Sequence, residues 1–288
     1  MSTQDAIDSR LIRVGHSPDP DDAFMFYGLK SGLVTADGLQ FEDVLADIQS
    51  LNEWAHEGRL EVTAVSVHAY AYLADKYRLL PHGASMGEQY GPIVVAREPM
   101  DPGEIPAKRV AIPGKLTSAF LELELAVGRW AQPIVVPVDE ILETVARGVA
   151  EAGLVIHEGQ LTYEREGLQL VLDLGLWWHE LTGGLPLPLG ANAIRRDLDD
   201  GSTAEAVSHA LRRSIEIGLR DRDDALEYAE GFGRGLDREL TDRFVGMYVN
   251  QRTLDYGDDG RQAVAELLDR AFTAGLVPAR APVDFVRD

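Results

Sequence analysis

Two α/β lobes around a central cleft are what this sequence predicts, and three observations lead there. Short apolar runs alternate with stretches of helical periodicity, the pattern of strands and helices laid down in turn. Two extended, proline-bearing stretches, near 92–105 and 185–193, interrupt that alternation and read as crossings. Between them stands a complete second α/β set. The expectation is a large discontinuous unit, 1–97 with 190–288, and a small inserted unit, 106–184.

The first strand is Leu11 to His16, running into SPDPDDAF, Ser17 to Phe24. Two prolines forbid a helix through Ser17–Pro18 and Asp19–Pro20. Asp19 can cap a helix with Pro20 at its first position and Asp21 and Asp22 in its first turn. The helix ends near Gly32, and the loop before it reads equally as a ligand loop or a good helix start. Leu39 to Leu45 is a strand and Asp47 to Gly58 a helix carrying Asn52, which solvent or the cleft would claim. Val62 to Val67 is a strand and Ala69 to Tyr77 a helix; Ser66 at their junction either caps the helix or presents its hydroxyl to an anion. Residues 80–91 read as a loop, Pro92 to Arg97 as extended, and EPMDPGEIPAK as the linker.

The inserted set opens with Val110 to Ile112 and PGKLTSAF, then a helix to about Trp130. Thr117 and Ser118 at that helix start make an anion cradle or plain capping; the spacing is not that of a Walker loop. Ile134 to Val136 is a strand, Val138 to Gly148 a helix, and Ala152 to Ile156 a buried strand. His157 and Glu158 stand where that strand stops, which in open α/β sheets is where ligands bind. A histidine there is a well-placed general base, or a helix-capping or surface residue. A short helix, the strand Leu168 to Leu172, and Trp177 with Trp178 follow; one tryptophan would line the cleft or both would pack. LPLPLGANAI leads back, and the rest is helical, about 203–220, 221–231, 237–249 and 260–274. Ser17, Ser66, Ser118 and His157 all fall at strand–helix junctions facing one crevice.

Bulk properties narrow the partners. Forty-eight acidic against 27 basic residues give a net charge of −21, so the field opposes phosphate backbones and anionic membranes. Neither nucleic acid nor membrane is an expected partner. No cysteine is present, which excludes disulfides, thiolate metal ligands and cysteine nucleophiles. MSTQDAIDSR carries no apolar core of a signal peptide and no run reaches membrane-spanning length, so the expected location is cytoplasmic.

The order SPDPDDAF, SLNEWAHEGRLEVTAVSVHAYA, GPIVVARE, PGKLTSAFL, AGLVIHEGQLTYEREGLQLVLDLGLWW and GLPLPLGANAIRRDL resembles the 1,4-dihydroxy-6-naphthoate synthase family. The resemblance runs from about Arg13 to Tyr256. It implies a type II periplasmic-binding-protein fold and a carbon–carbon lyase of the futalosine route to menaquinone, splitting cyclic dehypoxanthine futalosine without metal or redox cofactor. It implies a small carboxylate substrate, His157 as proton acceptor, and substrate contacts at Ala64, Val65 and Ser66 and at Ser118 with Ala119. Asn52 and Thr117 match pocket-lining positions, and Ser17 lies in the shared first loop. Two departures stand out: SPDPDD where family members often carry SPCPND, and Ala64 where relatives often carry lysine. The other classes are a cytoplasmic solute-binding module and the sister chorismate dehydratases, against which the IHE histidine argues.

Overall fold

The computed structural model describes residues 9–129, 133–233 and 235–287; Trp130, the expected end of one helix, lies outside them. Two mixed sheets carry the chain. The first is built from β1 (Arg10–His16), β2 (Leu39–Leu45), β3 (Val62–Ser66), β4 (Tyr77–Leu79), a short β5 (Ser85–Gly87) and, much later, β11 (Leu187–Arg195). The second takes β6 (Ile93–Ala96), β7 (Val110–Ile112), β8 (Pro133–Val135), β9 (Ala152–Val155) and β10 (Gln169–Asp173).

The two sheets repeat one topology. In the first the order is β2-β1-β3-β11-β4, in the second β8-β7-β9-β6-β10. Each begins with three parallel strands. The fourth strand in each, β11 or β6, is the one that arrives from the other sheet, and it runs antiparallel to both neighbours. The carboxyl ends of the parallel strands are where ligands bind in such sheets.

Helices α1 (Pro20–Lys30), α2 (Ile48–Glu57) and α3 (Val67–Tyr70) serve the first sheet; α4 (Ser118–Val127), α5 (Ile141–Ala146) and α6 (Leu174–Thr182) the second. After β11 come α7 (Thr203–Arg220), α8 (Arg222–Glu230), α9 (Arg238–Tyr248), α10 (Gln251–Leu254) and α11 (Gly257–Thr273). Phe24 and Phe26 of α1 pack with Leu211 and Ile215 of α7 and Val245 of α9 in one core. A second core is continuous between the sheets: Val65, Tyr70 and Ala191 belong to the same cluster as Val94, Ile112, Leu154 and Trp178. Among the described residues no helix is long and apolar enough to cross a membrane.

The structure moves the expected first crossing. The chain leaves the first sheet after β5 and enters the second at β6, so the passage is 88–92. Residues 93–96, assigned to the large unit from sequence, are wholly buried between β9 and β10 of the second sheet. The Pro/Gly-rich stretch that suggested the linker is instead a 3-10 turn, Pro102–Ala107, closed by a capping box on Asp101. Such composition marks a break in regular structure, not a change of sheet. The return passage is 183–186, complete before β11 begins at Leu187. The helix expected from Ala69 to Tyr77 is one turn, Val67–Tyr70, because Tyr77 is needed in β4, where its ring is buried and its hydroxyl donates to the Leu60 carbonyl at 2.8 Å. Val138 to Gly148 begins as a 3-10 turn before α5, and 158–166 forms two 3-10 turns.

Candidate active site in the cleft

A cavity of about 120 Å³ opens between the sheets and is lined from both. Ser17, Ala64, Val65 and Ser66 line it from the first sheet; Thr117, Ser118, Ala119 and Ile156 line it from the second. Its walls differ in chemistry.

Part of the lining offers donors. Asn52, fully buried on α2, accepts the Ser66 N–H at 2.9 Å and donates its amide to Ser66 Oγ at 3.0 Å. Asn52 therefore does not line the cavity but fixes the serine that does, leaving the hydroxyl proton to point elsewhere. Thr117 caps α4: its Oγ1 accepts from Phe120 N at 3.3 Å and donates to the Gly114 carbonyl at 2.9 Å. The first amides of α4, Ser118 and Ala119, precede that helix's own hydrogen-bond ladder. They add the positive end of a ten-residue helix to this wall.

Ser118 does a second job that sequence did not reveal. Its hydroxyl donates to the Leu189 carbonyl on β11 and accepts from His68 N at 3.3 Å. The side chain thus ties the two sheets, and of the hydroxyl and N–H groups expected to face a ligand here the hydroxyl is already engaged within the protein. His68 completes the support: its Nδ1 lies 3.2 Å from the Thr117 carbonyl, and burial holds its pKa down at about 4. The ring is neutral at pH 7, so Nδ1 carries the proton and donates.

Other lining residues offer acceptors. The Ser17 amide donates to Asp22 Oδ2 at 2.8 Å and its hydroxyl to Asp19 Oδ2 at 2.7 Å. These bonds turn the loop before α1 so that Asp19, Asp21 and Asp22 line the cavity; Asp19 does not make the expected side-chain cap. Though each keeps partial surface exposure, loss of water together with Asp22 and Asp19 pushes the Asp21 carboxyl well above the usual range. Loss of water also raises Asp22, against the pull of His16 and the Ser17 bonds. Asn192 of β11 adds a buried amide oxygen with no hydrogen-bond partner, its nitrogen donating to the Gly83 carbonyl at 3.0 Å. Tyr248 of α9 closes this end, its hydroxyl donating to Gln160 Oε1 at 2.9 Å across the sheets. No lysine or arginine is among the lining residues.

His157 sits at the end of β9, but its ring is turned out of the cavity. Nδ1 accepts the Gly159 amide at 2.7 Å and Nε2 donates to the Val138 carbonyl. It caps the following 3-10 turn, the structural alternative that the sequence left open. Its neighbour Ile156 lines both the cavity and an adjoining concavity floored by Asp47, Gln49 and Val138. Neither Trp177 nor Trp178 lines the cavity; Trp178 is buried, its indole donating to the Pro186 carbonyl at 2.9 Å. Among the described residues no three His, Asp or Glu side chains are placed to hold a metal ion.

Residues 12–273 match a family described as menaquinone biosynthesis. The 1,4-dihydroxy-6-naphthoate synthase of Thermus thermophilus is 44% identical over 94% of this chain and 98% of its own. That of Streptomyces coelicolor is 36% identical over 94% of this chain and 96% of its own. The chain belongs to the 1,4-dihydroxy-6-naphthoate synthase family. Membership places it among enzymes of menaquinone biosynthesis. A solved protein from Archaeoglobus fulgidus superposes with a TM-score of 0.88 at 46% identity, covering 95% of this chain and 100% of that one. The alkanesulfonate-binding protein of Xanthomonas axonopodis, 15% identical with a TM-score of 0.69 over 95% of this chain and 96% of its own, shares the fold alone. So does a Candida albicans protein described as having the generic periplasmic-binding-protein fold, at a TM-score of 0.70 and 14% identity, with 96% of both chains covered. The periplasmic-binding-protein-like fold is thus common to this synthase family and to solute-binding proteins.

Proposed function

We propose that this protein is a carbon–carbon lyase releasing 1,4-dihydroxy-6-naphthoate from cyclic dehypoxanthine futalosine, with the sugar-derived part as the leaving fragment. The observation that carries the reading is a single cavity lined both by donors, at Ser66 and the start of α4, and by carboxylates, at Asp19, Asp21 and Asp22. A protein of net charge −21 repels an anion at long range, so an anionic substrate must be held by short-range donors. Helix amides and an oriented hydroxyl supply them without a cation. The substrate carboxylate lies against Ser66, Ser118 and Ala119, with Thr117 and Asn52 fixing those donors and Ala64 and Val65 walling the aromatic part. The sugar-derived part then faces Ser17 and the aspartates.

His157 is the proton acceptor in this reading. Its Nδ1 carries a lone pair in the tautomer its hydrogen bonds select, since it accepts the Gly159 amide. The ring must break its two backbone bonds and swing past Ile156 before that lone pair reaches substrate. Catalytic hydrogen bonds are often formed only in the substrate complex.

Incubation of purified protein with the cyclic compound tests this directly. Naphthoate release is expected from the wild type, and His157→Asn should lower kcat by about 10²–10⁴. Binding without turnover would instead make the protein a solute-binding module, and a variant keeping more than roughly a tenth of the rate would move the base elsewhere.

A further inference from the structure

We propose that Asp21, with the amide oxygen of Asn192, forms a subsite for the hydroxyl-rich part of the substrate and sets the enzyme's preference for a ligand that is anionic at one end only. This inference rests on the functional reading above and assigns chemistry to the lining residues that reading leaves open. Asp21 and Asn192 both line the cavity, on different elements: Asp21 in the first turn of α1, Asn192 in the middle of β11. In register Asn192 lies across from Ala64, so a methyl group and not a cation faces it on the neighbouring strand.

Two independent features call for hydroxyl donors here. Asn192 is 1% exposed and its Oδ1 has no hydrogen-bond partner, although its nitrogen is anchored on the Gly83 carbonyl. A buried amide oxygen left unmade is costly, and a ligand O–H that meets it removes the cost. Asp21 stands beside Asp22 and Asp19 with no lysine or arginine on the cavity wall. Carboxylates crowded together with no lysine or arginine beside them take up protons or accept hydrogen bonds from neutral donors. A polyol satisfies both features, offering several O–H groups and no charge. A second carboxylate on the ligand would satisfy neither and would be repelled by all three aspartates.

The test uses two ligands that share the aryl carboxylate but differ in the polyol: the cyclic substrate, read by KM, and the naphthoate product, read by Kd with the protein at equilibrium. Asp21→Ala should raise KM for the cyclic substrate roughly tenfold to a hundredfold, from the loss of one or two hydrogen bonds in a water-poor site. Naphthoate Kd should stay within about twofold, a smaller change than one lost hydrogen bond produces. Asp21→Asn, which keeps shape and hydrogen-bonding capacity, should recover most of the loss and carries the test if the alanine variant does not fold. Weakening of both ligands by equal factors, or an unchanged KM in both variants, would overturn the subsite. A wild type that neither binds the naphthoate nor consumes the cyclic compound would overturn the functional reading instead, and the subsite's occupant with it.

Discussion

His68 shows how much of the site is set by residues that never meet the ligand. It holds the carbonyl of Thr117 and donates its backbone N–H to Ser118, the two residues that start α4. Burial lowers its pKa from 6.5 to about 4. The unfolded chain therefore binds a proton on this group in a range where the folded one does not, so stability is full above about pH 6.5 and is lost as pH falls through 4. The loss amounts to about 3 kcal/mol. His68→Asn, whose amide can keep the bond to the Thr117 carbonyl, should flatten the stability profile by that amount between pH 7 and pH 4 in urea unfolding. Parallel profiles for the two proteins would show that His68 is not the titrating group. Sequence placed Ser66, Thr117 and Ser118 at strand–helix junctions, and all three line the cavity, but it left capping and ligand contact as equal uses for each. It could not make Asn192 legible as an unpaired acceptor: in GANAI it reads as one polar residue in a strand, and its loneliness is a property of what packs around it. His157 was placed on the right strand end, yet its ring orientation depends on Gly159 and Val138, which no spacing reveals.

At the scale of elements, the longer strands and helices followed from periodicity, while the three-residue strands β4 and β5 and the change of sheet did not. β6 is four buried apolar residues, and nothing in IVVA distinguishes a strand that closes one sheet from a strand that joins the next. The passage itself is written in glycines. A Cβ on Gly175, at the start of α6, would lie 2.1 Å from the Tyr90 carbonyl carbon, and one on Gly87 would lie 1.9 Å from the Tyr90 oxygen. The first passage between the sheets thus threads beside the helix that leads into the second. Gly175→Ala should force backbone apart there and cost about 1–3 kcal/mol of stability in urea unfolding. A variant as stable as the wild type would mean that the two passages are free to separate.

Across the whole molecule, two sheets of one topology share a core, and one cavity is lined from both. Side-chain bonds from Ser118 to Leu189 and from Tyr248 to Gln160 cross between them, as does a shared core. The two-lobed plan was readable from the sequence because alternating strands and helices admit few arrangements. The full lining of the cavity was not, because Asp21, Asn192 and Tyr248 come from three distant segments and meet only in the folded chain. The central claim is that the substrate carboxylate is held by the Ser66 and α4 donors and not by the aspartates, and the structure of the protein with 1,4-dihydroxy-6-naphthoate bound tests it most directly. The carboxylate should lie within hydrogen-bond distance of the Ser118 and Ala119 amides and of Ser66 Oγ, with Asp19, Asp21 and Asp22 beyond the opposite end of the ring system. A carboxylate found against the aspartates, or a ligand outside the cavity altogether, would contradict it.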